Sequence, residues 1–267
     1  MGRLRGDLAD KGRVVVAFSG GADSSLLAWV ANDVLGDHAV AATAVSPSLA
    51  DAEHRDCAVL AAEWGLRWME VFTEEMGLAA YRANDGDRCY WCKDALMDAL
   101  APLAASRSAV VALGVNTDDL GDHRPGQRAA AERGAVFPLL DAGFAKSDIR
   151  EWSQRLGLRT WDKPAAPCLA SRIPYGTPVT LGALASVGDA EAALRRLGFD
   201  ELRVRHYGDL ARIEVPEAQL AEVVVQRAAV VEAVRQAGYR YATLDLEGLR
   251  SGNLNTALGL GPPAPSS

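Results

Sequence analysis

Apolar residues along most of the chain fall in short, β-branched runs separated by stretches of helical periodicity. The runs have the length and composition of strands buried in a parallel sheet, and they are expected at 13–18, 39–45, 67–72 and 110–116. A leading helix or arm is predicted at 1–12, and helices are predicted from the first loop to about residue 35 and at 51–65. Because parallel strands need crossover connections, this alternation predicts an α/β fold with a parallel, doubly wound sheet.

After about Pro178 the pattern becomes that of a smaller α+β domain. A helix is predicted at 181–197, strands at 202–205 and 211–215, a helix at 217–237 and a last strand at 240–246. The turn signal Tyr207-Gly208-Asp209 predicts a hairpin between the first two of these strands. The predicted division is an α/β domain at 1–177, an α+β domain for substrate binding or oligomerisation at 178–258, and a disordered Gly/Pro/Ser-rich tail at 259–267.

The stretch Ser19-Gly20-Gly21-Ala22-Asp23-Ser24-Ser25 joins the first strand to its crossover helix. A strand–turn–helix context aims backbone N–H groups and the positive end of a helix dipole at one place, which favours an anion. The two glycines allow close approach of a phosphate, and the serine hydroxyls add donors. The stretch has neither the Walker pattern nor the Rossmann pattern, and no lysine lies within it. The alternative is an ordinary β–α turn in which Ser and Asp cap the helix.

The pattern S-G-G-x-D-S resembles the PP-loop of ATP pyrophosphatases. That resemblance implies that ATP is cleaved between its α- and β-phosphates, that the loop holds the pyrophosphate, and that Asp23 helps to hold Mg²⁺. Ligands of open α/β sheets bind beyond the carboxyl ends of the strands, so the adenine is expected at the end of the second strand. The residues assigned to the nucleotide are Ser19, Gly20, Gly21, Asp23, Ser24, Ser25, Val45, Ser46 and Gly114.

Composition narrows the classes of function. The 267 residues suffice for one substantial core and a smaller domain, and a net charge of −7 argues against a nucleic-acid surface spread over the protein. No apolar run reaches the length of a membrane span, and the N-terminus lacks a signal-peptide core, so we expect a soluble, cytoplasmic protein without membrane or nucleic-acid partners. Four cysteines are too few for a disulfide scaffold in a chain of this size.

Three of the four cysteines are candidates for metal chemistry. Cys89 and Cys92 form a C-x-x-C pair that can grip one metal or cluster, and Cys168 lies far downstream after a proline. No further C-x-x-C or His pair completes a zinc site, whereas a [4Fe–4S] cluster on three thiolates leaves one iron open to a hydrosulfide. The alternatives are a redox disulfide for the pair and a core cysteine for Cys168. Cys57 fits a helical pattern and is expected to be a buried small hydrophobe.

Several longer stretches resemble the LarE family of ATP-dependent sulfurtransferases, which mature the nickel-pincer nucleotide of lactate racemase. The match extends from the loop to 251–255 and includes Trp161-Asp162-Lys163-Pro164, the segment from Cys168 to Gly176, 114–126, 137–140 and 146–150. The resemblance implies that ATP adenylates a carboxylate of pyridinium-3,5-dicarboxylate mononucleotide. A sulfur nucleophile then displaces AMP and leaves a thiocarboxylate, and both carboxylates are treated in turn. It also implies a small-molecule nucleotide substrate, a sulfide donor, a downstream nickel-insertion protein and a homo-oligomer.

The family has two sources of sulfur. In the sacrificial type the cysteine that corresponds to Cys168 gives up its own sulfur and becomes dehydroalanine. In the other type three cysteines hold a [4Fe–4S] cluster that carries an extra sulfide. The presence of Cys89 and Cys92 favours the cluster type with Cys89, Cys92 and Cys168 as ligands, and Cys168 is required under either mechanism.

Arg203 and Arg205 lie two residues apart on a predicted strand, so their side chains are expected on one face. The family resemblance assigns this pair to the phosphate of the substrate; the alternative is a solvated strand face. Asp118, Asp119 and Asp122 follow the fourth strand. They are candidates for positioning a metal or the ribose, and the alternative is that they cap a helix.

Three other functions share some of these features. A tRNA-thiolating enzyme combines a PP-loop with a three-cysteine cluster, but it would require a basic RNA-binding face, which the net charge of −7 argues against. An ammonia-using ligase has no use for the cysteines. A non-catalytic iron–sulfur or nucleotide sensor does not require the complete loop together with the arginine pair.

Overall fold

The computed structural model describes residues 1–121 and 125–250; Asp122 and the predicted tail at 259–267 lie outside the described residues. In chain order the helices are α1 (Gly2–Lys11), α2 (Ala22–Leu35), α3 (Asp51–Glu63), α4 (Ala79–Ala83), α5 (Arg88–Arg107), α6 (Pro125–Glu132), α7 (Pro138–Asp141), α8 (Lys146–Arg155), α9 (Leu181–Arg196), α10 (Leu220–Val225) and α11 (Arg227–Gln236). The strands are β1 (Val14–Ala17), β2 (Ala39–Val45), β3 (Trp68–Phe72), β4 (Val110–Ala112), β5 (Arg203–Tyr207), β6 (Leu210–Glu214) and β7 (Tyr241–Leu244).

The larger sheet has the order β3-β2-β1-β4, and all of its strand pairs are parallel. Val14 of β1 lies opposite Ala39 on one side and opposite Val110 on the other, so β1 is a central strand. Parallel strands joined by crossover helices confirm the predicted α/β class.

The central strand is buried on both of its faces. Val14 and Val16 pack into a core with residues of α1, α2 and α8, whereas Val15 packs into a second core with residues of α5. Because successive side chains of a strand point to opposite faces, helices cover both sides of the sheet, as a doubly wound arrangement requires.

The fourth strand is shorter than predicted. The apolar run at 110–116 favours a strand throughout, but β4 ends at Ala112. Its neighbour β1 ends at Ala17, one position beyond the residue opposite Ala112, where the chain turns into the glycine-rich loop, so the residues after Leu113 have no strand on that side to pair with. The backbone of Gly114 instead lies against the start of α2.

The described residues divide into two compact units, Met1–Leu78 with Cys89–Ala166, and Ala79–Arg88 with 167–250. The predicted boundary after residue 177 therefore falls inside the second unit. The reason is contact between distant segments: the Asn84 side-chain amide donates to the carbonyl oxygens of Pro174 at 2.8 Å and Thr177 at 2.7 Å, and Leu169 and Ile173 are buried. The functions assigned to the two predicted domains stay predictions.

The second unit contains a sheet of order β5-β6-β7, with β5 and β6 antiparallel and β6 and β7 parallel. The hairpin turn contains Gly208 at φ +62°, a conformation that glycine adopts without strain. The helix predicted at 217–237 is interrupted: a 3₁₀ turn precedes α10, and Gln226 separates α10 from α11. The valine run that ends α10 has low helix propensity, which accords with the break.

Among residues 1–121 and 125–250, no helix combines the length and the apolar character needed to cross a membrane.

Candidate functional site

The Ser19–Ser25 loop has the strand–turn–helix geometry that its sequence predicts. β1 ends at Ala17, Gly20 adopts φ +70°, Gly21 is the N-cap of α2, and Ser25 N donates to the Gly21 carbonyl at 2.9 Å. The first turn of a fourteen-residue helix therefore begins directly after the glycine pair. Backbone donors at such a terminus, together with the helix dipole, favour a bound anion.

Two of the loop hydroxyls have different surroundings. Ser24 Oγ accepts a hydrogen bond from Ser19 N at 3.2 Å and donates to the Gly21 carbonyl at 3.1 Å, so it fixes the shape of the turn. Ser25 Oγ is fully buried and has no hydrogen-bond partner among the described residues. Burying a hydroxyl without a partner is costly, so Ser25 is a polar group available to a ligand of the loop.

The other residues assigned to the nucleotide lie at or after the carboxyl ends of β2 and β4, the two strands that flank β1. Val45 ends β2, and the side chain of Ser46 accepts a hydrogen bond from Ser48 N at 3.2 Å. Gly114 follows β4, and a Cβ built there would lie 2.9 Å from Ser24 N. Gly114 is thus placed directly beside the loop, and only glycine allows this approach.

The aspartates after β4 act as turn caps. Asp119 Oδ2 accepts from Asn116 N at 3.2 Å, and Asp118 Oδ2 accepts from Lys146 N at 2.7 Å. These contacts match the capping alternative, since short acidic side chains satisfy backbone N–H groups at such turns. The third candidate, Asp122, lies outside the described residues.

The back of the loop is held by a lysine that sequence analysis did not select. Lys163 Nζ donates to the Gly20 carbonyl at 3.2 Å, and to Glu53 and Asp56 of α3 at 2.8 Å each. Lys163 lies in the Trp161-Asp162-Lys163-Pro164 stretch, which carried only the family resemblance. That resemblance was the available signal, because no local pattern connects positions 143 residues apart.

The charges around Lys163 stabilise one another. Burial acts against the charge of Lys163, but its hydrogen bonds to Asp56 and Glu53 outweigh that effect and raise the pKa of the ammonium. Burial also acts against the charge of Asp56, but hydrogen bonds from Lys163 and Arg159 outweigh it and lower the pKa of this carboxyl. Both shifts favour the charged forms of Lys163 and Asp56 at neutral pH.

Cys57 is a buried thiol behind the same loop. It is fully buried in α3, and a Cβ at Gly20 would lie 3.1 Å from its sulfur. Burial raises the pKa of Cys57 to about 11, so its thiolate is disfavoured. The prediction that Cys57 is a packed small hydrophobe is confirmed.

The three candidate ligand cysteines are more accessible. Cys89 is exposed and Cys92 partly exposed on the first turn of α5, three residues apart and so on one helix face. Cys168 is exposed at the N-cap of the 3₁₀ turn Leu169–Arg172. None of the four cysteines is in a disulfide. Accessible thiols are suitable iron–sulfur ligands, although no group of three or more His, Cys, Asp or Glu side chains within 1–121 and 125–250 is already arranged to hold a metal.

The segment that carries Cys168 is held by three buried arginines of the second unit. Arg172 donates to the Pro167 carbonyl at 2.6 Å, Arg88 to the Ala170 carbonyl at 2.8 Å, and Arg205 to the Ser171 carbonyl at 3.0 Å. Each of these arginines is 5% exposed or less. Backbone carbonyls that bond to guanidinium groups fix the course of the chain around Cys168.

Of the two arginines assigned to a substrate phosphate, Arg205 already has an internal partner. Its Nε and Nη2 contact the fully buried carboxylate of Glu214 at 3.0 and 2.9 Å. Arg203 donates to the Arg250 carbonyl at 3.1 Å. Burial, followed by repulsion from Arg205 and Arg172, lowers the pKa of Arg203. An anion bound at Arg203 would relieve this repulsion.

Proteins of known sequence resemble the chain over nearly its whole length. Pyridinium-3,5-bisthiocarboxylic acid mononucleotide synthase of Lactiplantibacillus plantarum is 41% identical over 253 residues, which are 94% of this chain and 92% of that protein. An uncharacterized protein of Synechocystis is 48% identical over 258 residues, 96% of each chain. An uncharacterized protein of Methanocaldococcus jannaschii is 25% identical over 253 residues, 93% of this chain and 96% of that one. No family model matches the chain.

Proposed function

The chain belongs to the LarE family, and from that premise we propose that it converts pyridinium-3,5-dicarboxylate mononucleotide to its bis-thiocarboxylate by ATP-dependent sulfur transfer. The observation that carries the proposal is the loop after β1, where Gly20 at φ +70°, the N-terminus of α2 and the buried Ser25 hydroxyl form a site suited to pyrophosphate. The name of the synthase relative supplies the class of the product.

In this proposal the loop residues Ser19, Gly20, Gly21, Ser24 and Ser25 hold the β- and γ-phosphates. Asp23, in the first turn of α2, helps to hold Mg²⁺, a cation that prefers carboxylate oxygen and phosphate ligands. Val45, Ser46 and Gly114 line the adenosine side. Attack of a substrate carboxylate oxygen on the α-phosphorus forms the acyl-adenylate and releases pyrophosphate. A sulfur nucleophile then attacks the acyl carbon and forms a carbon–sulfur bond. The bond between the acyl carbon and the bridging oxygen breaks, and AMP leaves with that oxygen.

Two sources of sulfur remain in the proposal. Cys89, Cys92 and Cys168 would hold a [4Fe–4S] cluster, which when bound supplies the sulfide for the thiocarboxylate. In the alternative, the Cys168 thiolate attacks the acyl carbon itself. Loss of the Cys168 Cα proton and cleavage of its Cβ–S bond then release the thiocarboxylate and leave dehydroalanine. The exposure of Cys168 suits both roles.

Arg203 is the proposed contact for the substrate's phosphate, with Arg205 beside it. Burial is the first cause of the lowered pKa of Arg203, and repulsion from Arg205 and Arg172 adds to it, so a bound anion would stabilise the charge there. The sulfide donor, the nickel-insertion partner and the homo-oligomer stay predictions.

The test begins with protein purified under anaerobic conditions. Incubation with ATP, Mg²⁺ and the dicarboxylate mononucleotide should release pyrophosphate and AMP and form a product heavier by one sulfur-for-oxygen exchange per carboxylate. If no pyrophosphate forms with this substrate, the proposed function is wrong.

Iron analysis and the intact mass of the protein separate the two sulfur sources. The cluster route predicts bound iron and sulfide, an unchanged Cys168 after turnover, and loss of iron in the Cys89→Ser and Cys92→Ser variants. Cys57→Ala is the matched control, because Cys57 is buried in α3, and it should keep the parent iron content. Loss of the mass of H₂S from Cys168 in iron-free protein would establish the sacrificial route instead.

A further inference from the structure

We propose that Lys163 is a positioning residue for the phosphate loop, acting through the Gly20 carbonyl; this inference rests on the proposed function, which makes the loop a pyrophosphate site. The Lys163 ammonium lies 3.2 Å from that carbonyl oxygen. Gly20 and Gly21 share a trans peptide, so their C=O and N–H groups point in opposite directions. A cation that holds the Gly20 oxygen therefore turns the Gly21 N–H away from Lys163 and fixes its direction.

The contacts of Lys163 indicate a fixed support rather than a phosphate ligand. An ammonium group has three N–H donors, and Lys163 has three acceptors: Glu53 at 2.8 Å, Asp56 at 2.8 Å and the Gly20 carbonyl at 3.2 Å. Its side chain is only 17% exposed. Two carboxylates already neutralise its charge, so little attraction is left for an incoming phosphate.

The loop is packed against the same support. A Cβ at Gly20 would lie 3.1 Å from the Cys57 sulfur and 3.7 Å from Lys163 Nζ. Since α3 carries Glu53, Asp56 and Cys57, the back of the loop contacts one rigid helix and the lysine that this helix holds. A Walker loop has its lysine within the loop, where it reaches the phosphates; here the lysine comes from outside and bonds to the backbone.

Arg159 provides a matched comparison within the chain. It donates to Asp56, which Lys163 also contacts, and to Glu63 at 3.0 Å. Lys163→Met and Arg159→Met each remove one positive charge from the same carboxylate group. Of the two substitutions, only Lys163→Met removes a hydrogen bond to the loop.

The experiment measures the dissociation constants of magnesium pyrophosphate and of AMP by calorimetry in the parent and in both variants. Lys163→Met should weaken pyrophosphate binding about tenfold, the effect of one hydrogen bond to a charged group. It should change AMP binding by less than about threefold, because AMP lacks the diphosphate. Arg159→Met should leave both constants close to those of the parent. Amide hydrogen exchange of the loop peptide should be faster in Lys163→Met than in the parent and Arg159→Met.

Each other result overturns the inference in a different way. Equal weakening in both methionine variants would indicate a general charge effect. Parent-like loop exchange with a loss of pyrophosphate affinity above about a hundredfold would assign Lys163 to the phosphate itself. Loop exchange like that of the parent in a folded Lys163→Met would contradict the proposed support. If Lys163→Met does not fold, Lys163→Arg takes its place: it keeps the charge, and its dissociation constant for pyrophosphate should be within about fivefold of that of the parent. If the parent itself binds no pyrophosphate, the proposed function fails, and the exchange comparison still tests the support.

Discussion

The Ser19–Ser25 loop of the first unit and the Cys168 segment of the second are both held through their backbone carbonyls, but by different kinds of side chain. One lysine, with 17% of its side chain exposed, bonds to the loop at Gly20. Three arginines, each 5% exposed or less, bond to carbonyls at Pro167, Ala170 and Ser171. The same chemistry is thus used with different degrees of burial.

Burial changes the energetic consequence of losing a partner. An ion that keeps some exposure can be solvated when its partner is removed, so the loss is smaller, whereas a buried guanidinium without its carboxylate is left in a medium that penalises charge. We therefore expect the loss of one charged partner to cost more stability at the arginines around Cys168 than at Lys163.

Glu214→Gln should give the largest loss of stability, because it leaves the buried Arg205 without its counter-charge. Arg205 and Glu214 are 4% and 0% exposed, and Arg203 and Arg172 add positive charge nearby. Removing one partner of such a pair costs about 3–5 kcal/mol of unfolding free energy. Urea unfolding followed by circular dichroism measures this quantity.

Arg212→Gln is the control for this pair. Arg212 contacts the same Glu214 carboxylate at 2.9 Å, but its own side chain is 30% exposed. Its replacement should cost about 1 kcal/mol or less, because water can take over part of the interaction. Similar losses in Glu214→Gln and Arg212→Gln would contradict the importance of burial at this site.

Gly114→Ala should give the next largest effect, centred on the loop. The added Cβ would lie 2.9 Å from Ser24 N and 3.0 Å from the Asp23 carbonyl carbon, so backbone at the start of α2 must move. Overpacking of this kind costs about 1–3 kcal/mol. Since the displaced atoms belong to the loop, pyrophosphate affinity should fall as well, which calorimetry measures.

Gly6→Ala tests whether that loss comes from the contact. Gly6 lies within α1, and nothing lies within 4 Å of a Cβ built there. Alanine should stabilise the helix by up to about 1 kcal/mol and leave pyrophosphate binding unchanged. A Gly114→Ala protein that binds pyrophosphate like the parent would show that the loop adapts to the clash.

Local patterns were sufficient for the loop but not for the side chains that hold it. The β-branched run before Ser19 and the S-G-G-x-D-S pattern are contiguous, so strand, turn and helix could be predicted together. Lys163 donates a hydrogen bond to Gly20, which is 143 residues away in sequence, and hydrophobic periodicity does not predict such a contact. Strand alternation predicted that Arg203 and Arg205 share a face, but not that Arg205 is paired with Glu214 on the adjacent strand.

The missed boundaries have a similar cause. The strand after Val110 was overestimated because an apolar run does not show where its neighbour β1 ends. The division between units was displaced because residues 79–88 join the second unit through Asn84, and a contact between distant segments leaves no mark on composition. Nonlocal contacts therefore account for most of what sequence analysis did not predict.

The smallest expected effect is a pH dependence of stability that arises in the second unit. Burial lowers the pKa of His206 below its usual 6.5, and its Nδ1 lies 3.1 Å from the Tyr239 hydroxyl. As the pH falls through 6.5 the unfolded chain takes up this proton before the folded one does, so stability should decrease between about pH 7 and pH 5. The decrease should stay below about 1 kcal/mol, since solvent reaches part of the ring.

His206→Gln should abolish this component of the slope in urea unfolding, whereas His38→Gln, at an exposed position, should retain it. The charges behind the phosphate loop give no such slope, because the pKa of Asp56 is lowered and that of Lys163 is raised, both away from neutrality. An identical pH profile in His206→Gln and the parent would show that the histidine gains its proton equally well folded or unfolded.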